Sequence, residues 1–178
     1  MNSHPWHNVS IGADAPEVVN VVVEIPLSSY ATYELDRDSG MLMLKRVLDA
    51  SINYPANYGF IPGTYCGDGD PLAILVISKV EIVPMCLVEA RVIGAMQLLD
   101  SGQRIDKIIA VAANDMSVDY LHDINDLSQH TVNELRSFFE AYKKAESKTV
   151  SIEAFQNRAS ALGVVEQAIV DYKTKLKQ

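Results

Sequence analysis

Two carboxylates on a short turn are the residues whose types and spacing most clearly suggest chemistry. Residues 68–71 read Asp-Gly-Asp-Pro, so that Asp68 and Asp70 lie beside glycine and proline, which favour turns. Carboxylate oxygens are the hard ligands that Mg²⁺ prefers, and magnesium ions can stabilise the attacking and leaving oxygens of a phosphoryl transfer. By itself, an Asp-Gly-Asp segment is more typical of a turn than of a metal site. An EF-hand loop starting at Asp68 is excluded, because Lys79 occupies the place of its final glutamate.

Further acidic side chains lie within predicted strands or at their ends. Glu24 interrupts a run of valines, Glu34 lies in a predicted hairpin strand, and Asp100 precedes a Ser-Gly turn. Carboxylates at strand ends and turns can converge on the mouth of a barrel. We therefore expect these side chains to form one site with Asp68 and Asp70.

Basic and phenolic side chains supply groups that could bind an anion. Lysine and arginine donate charge-assisted hydrogen bonds to phosphate oxygens, and tyrosine adds neutral donors. The candidates lie at the ends of predicted elements or in an aromatic-rich turn at residues 54–59; they are Arg46, Tyr54, Tyr58, Lys107, Tyr142 and Lys143. Without further context, Tyr142 reads better as a core residue, and Lys143 as a solvated helix end that complements the helix dipole.

The first two-thirds of the chain, which must position these residues, is predicted to consist of strands. β-branched and alternating segments predict strands at residues 18–25, 31–36, 41–47, 72–77, 87–98 and 107–112. The turn-forming residues 36–40 join the second and third of these strands into a hairpin. Many short strands without alternating helices favour a closed or partly closed antiparallel barrel.

The last third of the chain changes to a helical period. Thr131 and Glu134 have the spacing of a capping box, in which each side chain bonds the backbone N–H of the other residue. One face of this first helix is apolar, formed by Val132, Leu135, Phe139 and Tyr142. A short strand is predicted at residues 148–152. A second helix also has one apolar face, formed by Leu162, Val165, Ile169, Tyr172 and Leu176.

Composition narrows the class of protein. Of the 178 residues, 48% are hydrophobic and 21% are charged, as in globular proteins, and the length suits one domain over residues 1–178. The formal net charge of −8 disfavours nucleic acid and anionic membranes as partners. Cys66 and Cys86 form no disulfide framework, and no segment resembles a signal peptide or a membrane span. We therefore expect a cytoplasmic protein.

The histidines indicate no functional site. His4 and His7 lie in residues 1–7, a segment with proline and tryptophan that we expect to be a frayed terminus rather than a metal site. His122 and His130 are predicted to lie on the surface.

Taken in order, the motifs resemble one family, the soluble family I inorganic pyrophosphatases of prokaryotic type. The resemblance covers nearly the whole chain and is carried by residues 22–26, 33–36, 45–47, 54–59, 67–71, 89–94, 99–102, 107–111 and 138–143. It implies a mainly β fold with α, a five-stranded OB-like β-barrel with flanking helices. It also implies Mg²⁺-dependent hydrolysis of pyrophosphate to two phosphates, with Mn²⁺ as a possible substitute, and a homohexamer.

The resemblance also implies roles for the candidate residues. Asp68 and Asp100 would bind metal, and Glu34, like Glu24, would support the metal and the water around it. Asp70 would orient or deprotonate the water that attacks phosphorus. Three residues would bind one phosphoryl group, namely Arg46, Tyr142 and Lys143. Tyr58 and Lys107 would bind the other phosphoryl group, and Tyr54 would line the site.

Three positions depart from the family pattern. Ala73 and Ile105 stand where the family has metal-binding aspartates, and Thr32 stands where it has a lysine. Asp106 is expected on the opposite strand face from Ile105, so it does not replace the missing ligand. The resemblance therefore implies a weakened first metal site, one cation fewer for the substrate, and reduced turnover.

Three hypotheses follow for the function. The first is an inorganic pyrophosphatase that is slow or uses a changed set of metals. The second is a catalytically inactive protein of the same fold that binds a phosphate-containing ligand or assembles with an active paralogue. The third is a generic OB-like binding module, for which the acidic charge disfavours a nucleic-acid ligand.

Overall fold

The secondary structure follows the predicted order, with one additional strand and a short additional helix near the N-terminus. The computed structural model describes residues 4–145 and 148–177. The helices are α1 (Pro5–Asn8), α2 (Gln129–Ala145) and α3 (Arg158–Lys175). The strands are β1 (Val18–Ile25), β2 (Ala31–Leu35), β3 (Leu42–Val47), β4 (Asn57–Phe60), β5 (Ala73–Ile77), β6 (Leu87–Asp100), β7 (Gln103–Ala112) and β8 (Val150–Gln156).

Five strands close into a ring. Their order is β1-β4-β5-β7-β6, and β6 pairs back onto β1. Strand β8 pairs with β6 outside this ring, whereas β2 and β3 form a separate hairpin. The five-stranded barrel with flanking helices is therefore confirmed. The expectation that the barrel is antiparallel was wrong for one pair, because β5 and β7 run parallel, joined through the intervening strand β6.

Strand β4 was missed by the sequence prediction, which placed an aromatic-rich turn there. Its residues Asn57 and Gly59 are typical of turns, and four residues are too few to show alternation. The fully buried Asn57 side chain accepts hydrogen bonds from the backbone N–H groups of Leu27 (2.8 Å) and Ile82 (2.9 Å). The strand thus depends on contacts with distant segments rather than on its own propensity.

The two faces of β7 belong to different core clusters. Ile108 and Ala110 pack in a cluster that includes α3, whereas Ile109 and Val111 pack in a cluster that includes α2. Successive strand residues point to opposite faces, so Lys107 has the parity of Ile109. This alternation directs Lys107 toward the α2 side of the ring.

Helix α2 begins earlier than the predicted capping box. The helix starts at Gln129, and the Ser128 hydroxyl accepts a hydrogen bond from the backbone N–H of Thr131 at 3.1 Å. Glu134 lies one turn from His130, and their side chains approach within 3.1 Å. The predicted box of Thr131 and Glu134 was therefore wrong, because a serine at the preceding turn provides the cap. The buried face includes Leu135 and Phe139 as predicted, and also Phe138, which the predicted apolar stripe omitted.

Helix α3 buries a face that overlaps the predicted one, since Val165 is buried and Leu162 and Ile169 pack against the same core cluster. The Asn157 side chain caps it by accepting a hydrogen bond from the backbone N–H of Ser160 at 3.0 Å. Its fully buried residues are Ala161, Val165 and Ala168, whereas Leu176 is exposed. Alanines at the contact let the helix approach the sheet closely, so the larger apolar residues lie beside the contact.

The N-terminal segment is packed against the barrel, contrary to the expected frayed terminus. Trp6 is buried, and its indole N–H donates to the backbone carbonyl of Thr64 at 2.8 Å. A ring nitrogen of His7 lies 2.8 Å from the Tyr172 hydroxyl. Residues 1–3 lie outside the described part of the chain. His122 and His130 are exposed, as predicted.

Within residues 4–145 and 148–177, no helix is both long enough and apolar enough to cross a membrane.

Substitution by alanine is expected to have opposite effects on stability at two of the glycines. A Cβ atom at Gly59 would lie 2.1 Å from the backbone carbonyl oxygen of Val22, whereas a Cβ atom at Gly163 in α3 would meet no atom within 4 Å. We expect Gly59→Ala to lower the free energy of unfolding by about 3 kcal/mol or more, because a backbone atom must move. Gly163→Ala should raise it by about 0.5–1 kcal/mol, because glycine is unfavourable inside a helix. Urea denaturation measures both effects, and a Gly59→Ala variant as stable as the unmodified chain would contradict the close approach of β4 to β1.

Candidate active site

One cavity brings together most of the predicted site residues. It has a volume of about 700 Å³ and is bordered by the β2–β3 hairpin, strands β4, β5 and β7, and helices α2 and α3. The predicted site residues that line it are Glu24, Glu34, Tyr54, Tyr58, Asp68, Asp70, Lys107, Tyr142 and Lys143. Arg46 and Asp100 lie outside its wall. Asp100 still contacts the site through Lys143, and Arg46 lies opposite Thr32 in the hairpin register.

The turn that carries Asp68 and Asp70 is held by its own backbone. The backbone N–H of Asp70 donates to the Asp68 carboxylate at 3.1 Å, and the carbonyl of Asp70 accepts from the N–H of Cys66 at 2.8 Å. Gly69 adopts a φ of +89°, which favours glycine. The local sequence therefore fixes both carboxylates at the cavity wall.

The Asp70 carboxylate forms an ion pair with Arg37, a residue that the sequence analysis did not select. Arg37 lies in the turn between β2 and β3 and also lines the cavity. Its position in an ordinary turn-forming segment gave no sequence signal of a site. Only the packing of this turn against residues 68–71 reveals the pair.

Glu24 is a buried carboxyl group at the end of β1. One of its oxygens accepts a hydrogen bond from the backbone N–H of Leu35 at 2.9 Å. Burial raises the pKa of Glu24 to about 7; the Leu35 hydrogen bond opposes the rise, and the nearby charge of Glu34 adds to it. Glu24 can therefore gain or lose a proton near neutral pH.

Lys107 is a partly buried cation that touches a phenol. Its Nζ donates to the Tyr58 hydroxyl at 2.7 Å and lies 5.5 Å from the centre of the Phe139 ring. Burial lowers the pKa of Lys107 to about 8, whereas the negative charges of Asp68 and Glu24 hold it up. The ammonium group is therefore mostly protonated at neutral pH.

Two tyrosines stay protonated as hydrogen-bond donors. Burial raises the pKa of Tyr54 and that of Tyr58, and neighbouring phenols and carboxylates raise them further. Tyr54 packs against Phe138 of α2, with 4.5 Å between the ring centres. This contact fixes the part of α2 from which Tyr142 enters the cavity.

A second cation is held by an ion pair at the end of α2. Lys143 Nζ lies 3.2 Å from the Asp100 carboxylate, and their side chains are only 19% and 13% exposed. Although burial acts in the opposite direction, the hydrogen bond and charge of Lys143 lower the pKa of Asp100. Asp100 is therefore a carboxylate that already holds a cation.

The three positions at which the resemblance implies charged residues all line the cavity. Ala73, Ile105 and Thr32 contribute to its wall. The Thr32 side chain is buried, and its hydroxyl lies beside the Tyr54 phenol. Asp106 also borders the cavity, but its carboxylate accepts from the Gln97 side chain at 3.4 Å and has the opposite strand parity from Ile105.

The carboxylates suit a magnesium ion shared with a phosphate ligand. Within residues 4–145 and 148–177, no three His, Cys, Asp or Glu side chains cluster closely enough to hold a metal by themselves. Of the predicted ligands, Asp100 pairs with Lys143, and Glu34 lies 3.7 Å from Lys45. Asp68 lies on the cavity wall, and on the same turn Asp70 pairs with Arg37; magnesium is often bound by one or two carboxylates together with substrate phosphates. The donor set therefore fits a metal–phosphate complex better than a metal held by protein alone.

Comparisons with known proteins agree on one family. The sequence profile described as inorganic pyrophosphatase matches residues 21–173. The chain is 46% identical to soluble inorganic pyrophosphatase 2 of Chlamydomonas reinhardtii, over 96% of this chain and 89% of that protein. It is 44% identical to a soluble inorganic pyrophosphatase of Zea mays, over 99% of this chain and 82% of that protein.

Solved structures show the same similarity. The inorganic pyrophosphatase of Thermus thermophilus superposes with a TM-score of 0.88 at 38% identity, covering 93% of this chain and 97% of that one. The inorganic pyrophosphatase of Helicobacter pylori superposes with a TM-score of 0.87 at 42% identity, covering 93% and 98%.

The raised pKa of Glu24 predicts how stability depends on pH. Because the pKa is about 7 in the folded chain and 4.5 ordinarily, ionisation of Glu24 favours unfolding. Its contribution to stability is complete below pH 4.5 and is lost as the pH rises through 7, by about 3 kcal/mol at most. Glu24→Gln removes this dependence while keeping an acceptor for Leu35.

Denaturation of both proteins between pH 5 and 8.5 measures the effect. The variant should become progressively more stable than the unmodified chain as the pH rises. The exposed Glu140→Gln is the matched control and should show no such divergence. A difference between Glu24→Gln and the unmodified chain that does not change with pH would contradict the raised pKa.

Proposed function

Because the chain belongs to the inorganic pyrophosphatase family, we propose that its cavity binds pyrophosphate for hydrolysis to two phosphates. By homology to this family, the chain is an inorganic diphosphatase. One observation supports this proposal: two lysines, Lys107 and Lys143, line the cavity together with the carboxylates of Asp68 and Asp70. A charged anion and an attacking water need these two kinds of group side by side.

The cations and phenols divide into two groups that suit the two ends of pyrophosphate. Lys107 and Tyr58 form one group, already joined by a hydrogen bond of 2.7 Å. Lys143 and Tyr142 of α2 form the second group, and Arg46 on the neighbouring hairpin is assigned to it as well. Each group offers a charged donor beside a neutral one, which suits phosphoryl oxygens.

The acids are proposed to handle the water and its proton. Asp70 accepts a proton from the attacking water, since its carboxylate lies at the cavity wall beside Asp68. Glu24, whose pKa is about 7, can gain or lose a proton near this water. Proton acceptors are effective when their pKa lies near the working pH, so Glu24 suits a supporting role at neutral pH. Tyr54 lines the site and holds the end of α2 in place.

The family uses divalent metals, and Asp68 is the residue that would hold one together with the substrate; Asp100 and Glu34 are assigned to further metal contacts. When bound, magnesium or manganese would neutralise charge on the phosphoryl oxygens. The protein itself supplies orientation and positive charge from Lys107 and Lys143.

We propose that turnover is reduced relative to relatives that carry charged residues at three positions. Ala73 and Ile105 contribute no carboxylate to the wall that carries Asp68, and Thr32 contributes no cation. Removing one charge-stabilising contact often slows an enzyme by about 10²–10³. The three effects need not multiply, since residues that act as a unit are not additive.

A second candidate is a phosphate-binding protein that has lost catalysis. It is favoured by the intact cation groups together with the engagement of Asp70 and Asp100 in ion pairs. Such a protein would bind a phosphate-containing ligand or assemble with an active paralogue.

We also propose a single domain, a homo-oligomer and a cytoplasmic location. One domain over residues 1–178 is supported by the closed ring and the helices packed on both of its core clusters. A homo-oligomer, with the hexamer implied by the resemblance, is supported by exposed apolar side chains between β5 and β6, namely Val80, Val83 and Met85. A cytoplasmic location stays a prediction from the sequence.

Restoring the two missing carboxylates tests the proposed impairment. We expect Ala73→Asp/Ile105→Asp to release phosphate from pyrophosphate at least about tenfold faster than the unmodified chain, because added acids would improve metal binding beside Asp68. Phosphate release is measured with Mg²⁺ and, separately, with Mn²⁺.

The matched control is Ala73→Asn/Ile105→Asn, which adds similar volume without charge and should bring no gain. Turnover of the unmodified chain equal to that of an unsubstituted relative would contradict the impairment. A double aspartate variant without any gain would place the loss elsewhere. No phosphate release from either protein would favour the inactive candidate.

A further inference from the structure

Arg37 is held at the cavity by a well-defined turn. The backbone N–H of Ser39 donates to the Asp36 carboxylate at 2.9 Å, and the N–H of Gly40 donates to the Asp36 carbonyl at 2.9 Å. These bonds fix the turn between β2 and β3 from which Arg37 extends. Its guanidinium group reaches the Asp70 carboxylate, although the two residues lie far apart in sequence.

The other side of Arg37 faces the N-terminal helix. Its guanidinium carbon lies 5.9 Å from the centre of the Trp6 ring, within the range of a cation–π contact. Trp6 is itself fixed, because its indole N–H bonds Thr64 and its carbonyl accepts from Gly63 at 2.9 Å. Arg37 therefore lies between a rigid aromatic ring and the acid proposed to accept the proton of water.

The ion pair between Arg37 and Asp70 is weak enough for a ligand to replace Asp70 as the partner of Arg37. Both side chains are about half exposed, at 54% and 49%, and such exposed pairs contribute little to stability. A diphosphate carries more negative charge than one carboxylate and presents several oxygens to the planar guanidinium fork. A diphosphate entering the cavity would therefore compete well for Arg37.

The cavity wall carries Arg37 and Arg104 besides the two lysines. Lys107 and Lys143 each contact a partner, Tyr58 and Asp100, whereas the nearby wall at Thr32 and Ala73 is uncharged. Arg37 is a further cation on the cavity wall, and it arises from the same hairpin as Thr32.

We propose that Arg37 is a substrate-binding residue that exchanges Asp70 for the phosphoryl oxygens of a diphosphate. This inference rests on the proposed function, since it concerns the same cavity. In the open cavity Arg37 is paired with Asp70. When a diphosphate enters, Arg37 moves from Asp70 and Trp6 to the ligand.

Binding of imidodiphosphate, a diphosphate that resists hydrolysis, tests the exchange. Titration calorimetry compares the unmodified chain with Arg37→Ala, Arg37→Lys and the control Arg104→Ala in magnesium buffer. Arg104 borders the same cavity but is 70% exposed and pairs with Glu153, so its removal alters the charge equally without removing the proposed contact.

We expect Arg37→Ala to weaken binding by about tenfold or more, the loss of one charged hydrogen bond. Arg37→Lys should regain only part of the affinity, because an ammonium group lacks the planar fork. Arg104→Ala should change the affinity by no more than about twofold. Equal affinities of Arg37→Ala and Arg104→Ala, or tighter binding by Arg37→Ala, would overturn the proposal.

Fluorescence of Trp6 provides a second readout, since it is the only tryptophan in the chain. In the unmodified chain, imidodiphosphate should change the emission with the same dissociation constant that calorimetry gives, because Arg37 leaves the ring. Arg37→Ala should lose this change at saturating ligand, whereas Arg104→Ala should keep it. Binding to the unmodified chain without a change in emission would overturn the exchange.

These measurements separate this proposal from the proposed function. Because imidodiphosphate is not hydrolysed, Arg37-dependent binding can be found in a protein that releases no phosphate; hydrolysis would then fail and the role of Arg37 would stand. Phosphate release combined with binding that is indifferent to Arg37 would refute the role of Arg37 alone.

Discussion

Strand β1 has hydrogen-bonded neighbours on both edges, and this double pairing is the constraint on which the rest of the structure depends. It pairs with β4 on one side and with β6 on the other, which closes the ring. The close approach of β4 requires Gly59, where any side chain would meet the β1 backbone. The pairing register shifts between Val23 and Ile25, so the irregularity falls on Glu24. Such bulges often re-aim a side chain beside a site, and here the ring-closing strand delivers a buried carboxyl to the cavity.

Closure of the ring also brings the cations of the site into contact with polar or acidic partners. Lys107, brought in by β7, contacts Tyr58 of β4, and Lys143 at the end of α2 contacts Asp100 at the end of β6. Arg37 and Asp70 meet across two turns in the same way. Groups that stabilise a charged reactant are most effective when they are already in place before it arrives. Carboxylates hold Lys143 and Arg37 in place, and a phenol holds Lys107.

The outline of the fold could be predicted because most strands carry a local signal. The alternating segments of β2 and the β-branched run of β1 were found at nearly their observed bounds, and α2 and α3 were found by their period. Strand β4 was missed because its short sequence has turn-forming residues and is held by Asn57, which bonds distant backbone groups. The docked N-terminus was missed for the same reason, since the contact of Trp6 with Thr64 joins segments that local composition cannot relate.

The sequence by itself determined the family, the types of residue in the site and the three uncharged positions at its wall. These follow from the order and spacing of motifs, which a linear chain displays directly. Only the tertiary structure decided which charges meet, since it placed Arg37 on Asp70 and left Asp100 and Arg46 outside the cavity wall. Ion pairs depend on distances between residues that lie far apart in the chain. Those distances exist only after β1 has closed the ring, so no local pattern could have specified them.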